Sequence, residues 1–78
     1  MPSPTVSAPA AALAARLKAW RAAEGLSQRA AGERLDPPVH FTTWAGWERG
    51  ERWPQGVDLE RLASLMGVSP GEAITPPG

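Results

Sequence analysis

Cysteine and tyrosine are absent from this chain of 78 residues, and histidine and phenylalanine occur once each. Without cysteine there is no disulfide framework and no thiolate zinc site. The same lack fits a cytoplasmic protein, where thiols bring no structural cross-link. Eight basic and eight acidic residues cancel to a net charge of zero. The overall basicity that marks many nucleic-acid-binding domains is therefore missing, although a local basic face is compatible with neutrality. Long apolar runs are also missing. The most apolar stretch, around Ala10 to Ala15, is too short and too rich in alanine to span a membrane. No charged n-region of a secretory signal precedes it. No membrane partner is expected.

Catalytic material is equally thin. There is no Ser-His-Asp constellation and no glycine-rich phosphate loop following a strand. A single small domain leaves little room for a catalytic pocket. His40 has no second set of metal ligands near it. The expectation is a non-enzymatic protein with no cofactor and no metal.

What is present is helical patterning. The length fits one domain with a small core. "MPSPTVSAP" carries three prolines among small polar residues, and "TPPG" closes the chain. These read as an N-terminal arm over residues 1–6 and a tail over 75–78, flanking a folded domain over 7–74. Ser7 can cap a first helix with Pro9 in its first turn. Leu13, Leu17 and Trp20 recur at helical spacing, and Gly25 stops the pattern. Ser27 caps a second helix, "QRAAGERL", which carries Ala30, Ala31 and Leu35 on one side and ends at Asp36-Pro37-Pro38. A third covers roughly Phe41 to Arg49 and closes at Gly50. "ERWPQG" is a loop. A fourth runs from Asp58 to Met66 with Leu59, Leu62, Ala63 and Met66 on one side, stopped by Gly67. "SPGE" at 69–72 is a capping box that opens a short fifth helix ending near Ile74. The predicted fold is all-α, five helices with short connections.

The stretch "FTTWAGWERGERWPQG", residues 41–56, holds three of the four tryptophans. On a helix Trp44, Trp47 and Glu48 share one face, at i, i+3 and i+4. Two large indoles point that face inward. Glu48 at the border of a core then needs a cationic partner. The opposite face carries Phe41, Thr42, Thr43, Ala45, Gly46 and Arg49, small enough to lie against a groove wall. Trp53, just before Pro54, is open to two readings: a cap on the core or an exposed contact for a partner.

In combination, "LKAWRAAEGLSQRAAGERL", "TTWAGWERGERWP" and "LERLASLMGVSPGEAI" resemble the lambda-repressor-like, Cro-type helix-turn-helix proteins, also called the xenobiotic-response-element family. The resemblance runs from about residue 13 to residue 74 through Trp20-Arg21, Leu26-Ser27-Gln28, Trp47-Glu48-Arg49-Gly50, Pro54, Leu62-Ala63 and Met66-Gly67-Val68-Ser69. It implies a compact lambda-repressor-like domain in which helices 2 and 3 form the helix-turn-helix. It implies that Arg21 pairs with Glu48. It puts Gln28 at a DNA phosphate and against the recognition helix, and Phe41, Thr42, Thr43 and Gly46 at base edges. The resemblance also implies that Arg49 and Arg52 flank a loop lying along the DNA backbone, at phosphates, and Arg29, near a helix start, suits a phosphate as well.

Three departures stand out. "DPPVH" lengthens the turn between helices 2 and 3, so the third helix is expected to be tilted or displaced from the usual pose. Gly32 and Ala31 replace a usual alanine and leucine, and glycine costs about 1 kcal/mol against alanine inside a helix. The reading positions also lack Gln, Asn or Arg for bidentate base contacts. Two functions follow. One is a sequence-specific regulator of transcription, a small repressor binding double-stranded DNA as a homodimer with helix 3 in the major groove. The other is a protein-binding module of the same fold, antitoxin-like or an adaptor, holding a protein partner through Phe41, Trp53 or the last helix.

Overall fold

A computed structural model of the chain describes residues 8–75. The arm over residues 1–6, the Ser7 cap and the tail beyond Thr75 lie outside the described residues. Five helices follow one another: α1 (Ala8–Glu24), α2 (Gln28–Glu33), α3 (Phe41–Glu48), α4 (Gly56–Met66) and α5 (Pro70–Ala73). No strand occurs among the described residues.

The helix ends are where local chemistry puts them. The Ser27 hydroxyl accepts the Ala30 amide at 3.1 Å, and that of Ser69 accepts the Glu72 amide at 3.1 Å. Each satisfies a first-turn N–H that has no partner within its own helix. Gly25, Gly50 and Gly67 take φ of 67°, 71° and 74°, the left-handed conformation that ends a helix at low steric cost.

Two boundaries differ from the sequence expectation. Helix α2 stops at Glu33 rather than running to the Asp-Pro step, because the Arg34 and Leu35 amides turn back to Ala31 and Gly32. That tighter turn still buries Leu35. Helix α4 starts at Gly56 instead of Asp58. Pro54 is fully buried and anchors the loop, so the chain enters the helix directly after Gln55.

One core serves all five helices. Leu13 and Leu17 of α1, Ala31 and Leu35 of the α2 segment, Trp44 and Trp47 of α3, Leu62 and Ala63 of α4, and Ala73 of α5 form a single buried cluster. Trp20, Leu59, Met66 and Ile74 pack against its edge. The Trp20 and Trp44 ring centroids are 6.0 Å apart and those of Trp44 and Trp47 6.2 Å apart. The three indoles thus join α1 to α3 through tilted and edge-on aromatic contacts, geometries favoured by the ring quadrupole.

Candidate nucleic-acid interface

Helix α3 has two sides with different chemistry. The inner side centres on Glu48, a carboxylate only 4% exposed. Arg21 Nε donates to Glu48 Oε2 at 2.6 Å and Arg21 Nη2 to Oε1 at 3.0 Å, a bidentate pair. Gln28 Nε2 donates to Oε1 at 3.3 Å, and Trp44 Nε1 donates to Oε2. Arg21 Nη1 also reaches the Leu26 carbonyl at 3.1 Å. Burial by itself pushes the Glu48 carboxyl up. The hydrogen bonds from Arg21, Trp44 and Gln28, with the Arg21 charge, outweigh that and hold it below its ordinary value. Donating to Glu48 in turn raises Arg21, against the opposing effect of burial. Helices α1, α2 and α3 are therefore tied at one carboxylate.

Trp44 and Glu48 share a face at i and i+4, as the spacing predicted, but the indole donor to Glu48 was not foreseen. The family resemblance had placed Gln28 against α3, but not its partner there. Gln28 and Glu48 are 20 residues apart, and no local pattern joins them. Gln28 therefore has its amide nitrogen engaged inside the molecule, where it braces α3.

The outer side is polar and shallow. His40 caps α3, its Nδ1 accepting the Thr42 amide at 3.3 Å and lying 2.8 Å from Thr42 Oγ1. This use of the lone histidine was missed, because histidine is not among the preferred cap residues. Thr42 is exposed, while Phe41 and Thr43 are half-buried. The Phe41 ring lies 4.7 Å from the His40 ring, and the Arg29 guanidinium carbon sits 4.8 Å from its centroid. Arg29 and Phe41 thus form a cation–π pair that joins the start of α2 to the start of α3.

Gly46 corrects the expectation of an open position, because it is buried. A Cβ built there would meet Arg52 Cδ at 2.7 Å and Cγ at 2.9 Å. The arginine stem covers the glycine. Arg49 is exposed, but its Nε donates to both carboxylate oxygens of Glu51, at 3.1 and 3.0 Å. Trp53 takes the exposed reading: it is 46% exposed, and Val57 nearby is 64% exposed.

Side chains and backbone together hold the long connection between α2 and α3. Val39 donates its amide to the Gly32 carbonyl at 3.1 Å. The Val39 carbonyl oxygen would lie 2.7 Å from any Cβ at position 32. Glycine at 32 is thus required by the returning turn. From the other side, Arg61 of α4 donates to the Pro37 carbonyl at 3.0 Å and to Asp58 Oδ1 at 2.6 Å. Among the described residues no group of three or more His, Cys, Asp or Glu is arranged to hold a metal ion. None of their helices is long and apolar enough to cross a membrane.

The family described as "Helix-turn-helix domain" matches residues 12–74. Among solved structures the chain is similar to the S. venezulae BldD DNA-binding domain, with 31% identity and a TM-score of 0.68. That similarity covers 87% of this chain and 99% of the other. No curated protein matches the sequence.

Proposed function

Because this chain belongs to the helix-turn-helix domain family, in its lambda-repressor-like form, we propose that it is a non-enzymatic, sequence-specific DNA-binding regulator of transcription. It acts as a small repressor and enters the major groove with α3. The observation that carries this reading is the division of α3: its inner side is clamped by Arg21, Gln28 and Trp44 around Glu48, while Thr42 on its outer side stays exposed. A helix locked from behind and open in front is what groove reading requires, since base contacts need a fixed register.

The roles divide accordingly. Thr42 and Thr43 offer hydroxyls to base edges, and Phe41 offers an apolar edge for a thymine methyl. Arg29 and Arg49 serve phosphates. Arg29, stacked on Phe41 at the start of α2, has no carboxylate partner among the described residues, whereas Arg49 must first exchange Glu51. Two copies on paired half-sites, one helical turn apart, complete the assembly, as is usual for this motif.

The competing reading is a protein-binding module of the same fold, favoured by exposed Trp53 and Val57. A salt series separates the two. DNA binding weakens steeply as salt rises, with a log–log slope of about −0.9 per phosphate neutralised. The expected result is a duplex complex with such a slope, shallower in an Arg29→Ala variant. A chain that retains no duplex at low salt, yet holds a protein partner with little salt dependence, overturns the proposal.

A further inference from the structure

We infer that Arg52 is the principal base-reading residue of this interface, reaching from the loop after α3 across Gly46 to a guanine. The inference rests on the DNA-binding reading above. At roughly 100° per residue, Gly46 stands about 200° round the helix from Trp44. It therefore lies on the side away from the core, at the middle of the outward face. Its burial comes from Arg52, whose Cδ, Cγ and Cβ would lie 2.7, 2.9 and 3.4 Å from a Cβ at position 46.

This placement is anchored. The amides of Glu51 and Arg52 both donate to the Gly46 carbonyl, at 3.0 and 3.2 Å. The backbone at residue 52 is thereby fixed to α3, and its stem lies along the outward face in the space that a side chain at 46 would take. Arg52 as a whole remains exposed, so its head group meets solvent. Among the described residues no carboxylate pairs with it, whereas its neighbour Arg49 is engaged by Glu51.

The chemistry of the face needs such a residue. Thr42 has its hydroxyl beside His40 Nδ1, and a threonine makes no bidentate contact. A guanidinium supplies two parallel N–H donors that match O6 and N7 of guanine in the major groove. A stem already packed on α3 loses less rotamer freedom on binding than one free in solvent. Gly46 contributes by vacancy: it reads nothing, and it gives Arg52 its track.

Selection of bound duplexes from a random pool tests this, using the full chain and its Arg52→Ala, Arg52→Lys and Gly46→Ala variants. Circular dichroism checks that each variant is folded. The parent chain should enrich sites with a guanine at one fixed position. Arg52→Ala should lower the preference there by about tenfold or more, with the other positions unchanged. Arg52→Lys keeps the charge and should lose the same preference, because an ammonium lacks the planar fork. Gly46→Ala should weaken preference at that same base pair with Arg52 intact, since the methyl displaces its stem. Arg52→Ala weakening all sequences alike, with preferences unchanged and a shallower salt slope, would assign Arg52 to phosphate and overturn the inference. A parent chain that enriches no sequence overturns the DNA-binding reading itself, and the inference falls with it.

Discussion

Glu48 concentrates the risk in this molecule. Its side chain is 2% exposed and that of Arg21 23%, so the pair sits at the border of the core. Removing one partner strands the other, which is costlier than removing both. Arg21→Met alone should cost roughly 3 kcal/mol, and the Arg21→Met, Glu48→Gln double variant clearly less than the sum of the two singles. Chemical denaturation of the four proteins measures the coupling, and a value near zero would remove the pair from the account. The pH dependence has a definite sign. Glu48 is held below the ordinary 4.5 of a glutamate, so its contribution is fully present above that value. It is lost as pH falls through the folded-state value. Glu48→Gln should therefore flatten the loss of stability below about pH 4.5, measured as melting temperature against pH. Arg21 is shifted upward by its hydrogen bonds to Glu48, so its contribution is lost only in strong alkali.

Helix α2 is six residues long, too short to persist without tertiary support. Its support comes from Ala31 and Leu35 in the core, the Ser27 cap, and the turn that returns over Gly32. Gly32→Ala tests which effect wins. Helix propensity alone favours alanine by about 1 kcal/mol. The Val39 carbonyl at 2.7 Å opposes it, and backbone yields less readily than the end of a flexible side chain. The expected outcome is net destabilisation of about 1–3 kcal/mol, as overpacking gives. A higher melting temperature in the variant would mean that the turn relaxes freely. His40→Ala, at the start of α3, should cost about 1 kcal/mol through the lost cap, and denaturant midpoints would register it.

At the scale of the whole molecule, one cluster of small and large apolar groups carries all five helices. Global stability for a chain of this length is about 4–12 kcal/mol. Trp44 is fully buried, and its ring centroid lies 6.0 Å from that of Trp20 and 6.2 Å from that of Trp47. Trp44→Ala should cost roughly 3–5 kcal/mol and also take one hydrogen-bond donor away from Glu48. Near-complete loss of the cooperative thermal transition is expected. A variant melting like the parent would mean that α3 is turned the other way, and the division of its faces would fall.

The serine caps and glycine stops were readable from the chain alone because they are local. Ser27, Ser69, Gly25, Gly50 and Gly67 act within a few residues of themselves, and a hydroxyl or a missing Cβ has the same consequence in any fold. The spacing of Trp44, Trp47 and Glu48 likewise made one side of α3 the inner one before any neighbour was known. The Arg21–Glu48 pair was half local: burial demanded a cation, and family resemblance named it. Other features depended on segments that meet only in the folded state. Gln28 turned inward because α2 packs on α3. Gly32 was required because Val39 returns over it, where the sequence showed only a helix-weakening residue. Gly46 closed, and Arg52 gained its track, because the loop after Gly50 folds back onto α3. Contacts between residues distant along the chain leave no periodicity, so only the tertiary structure decided them.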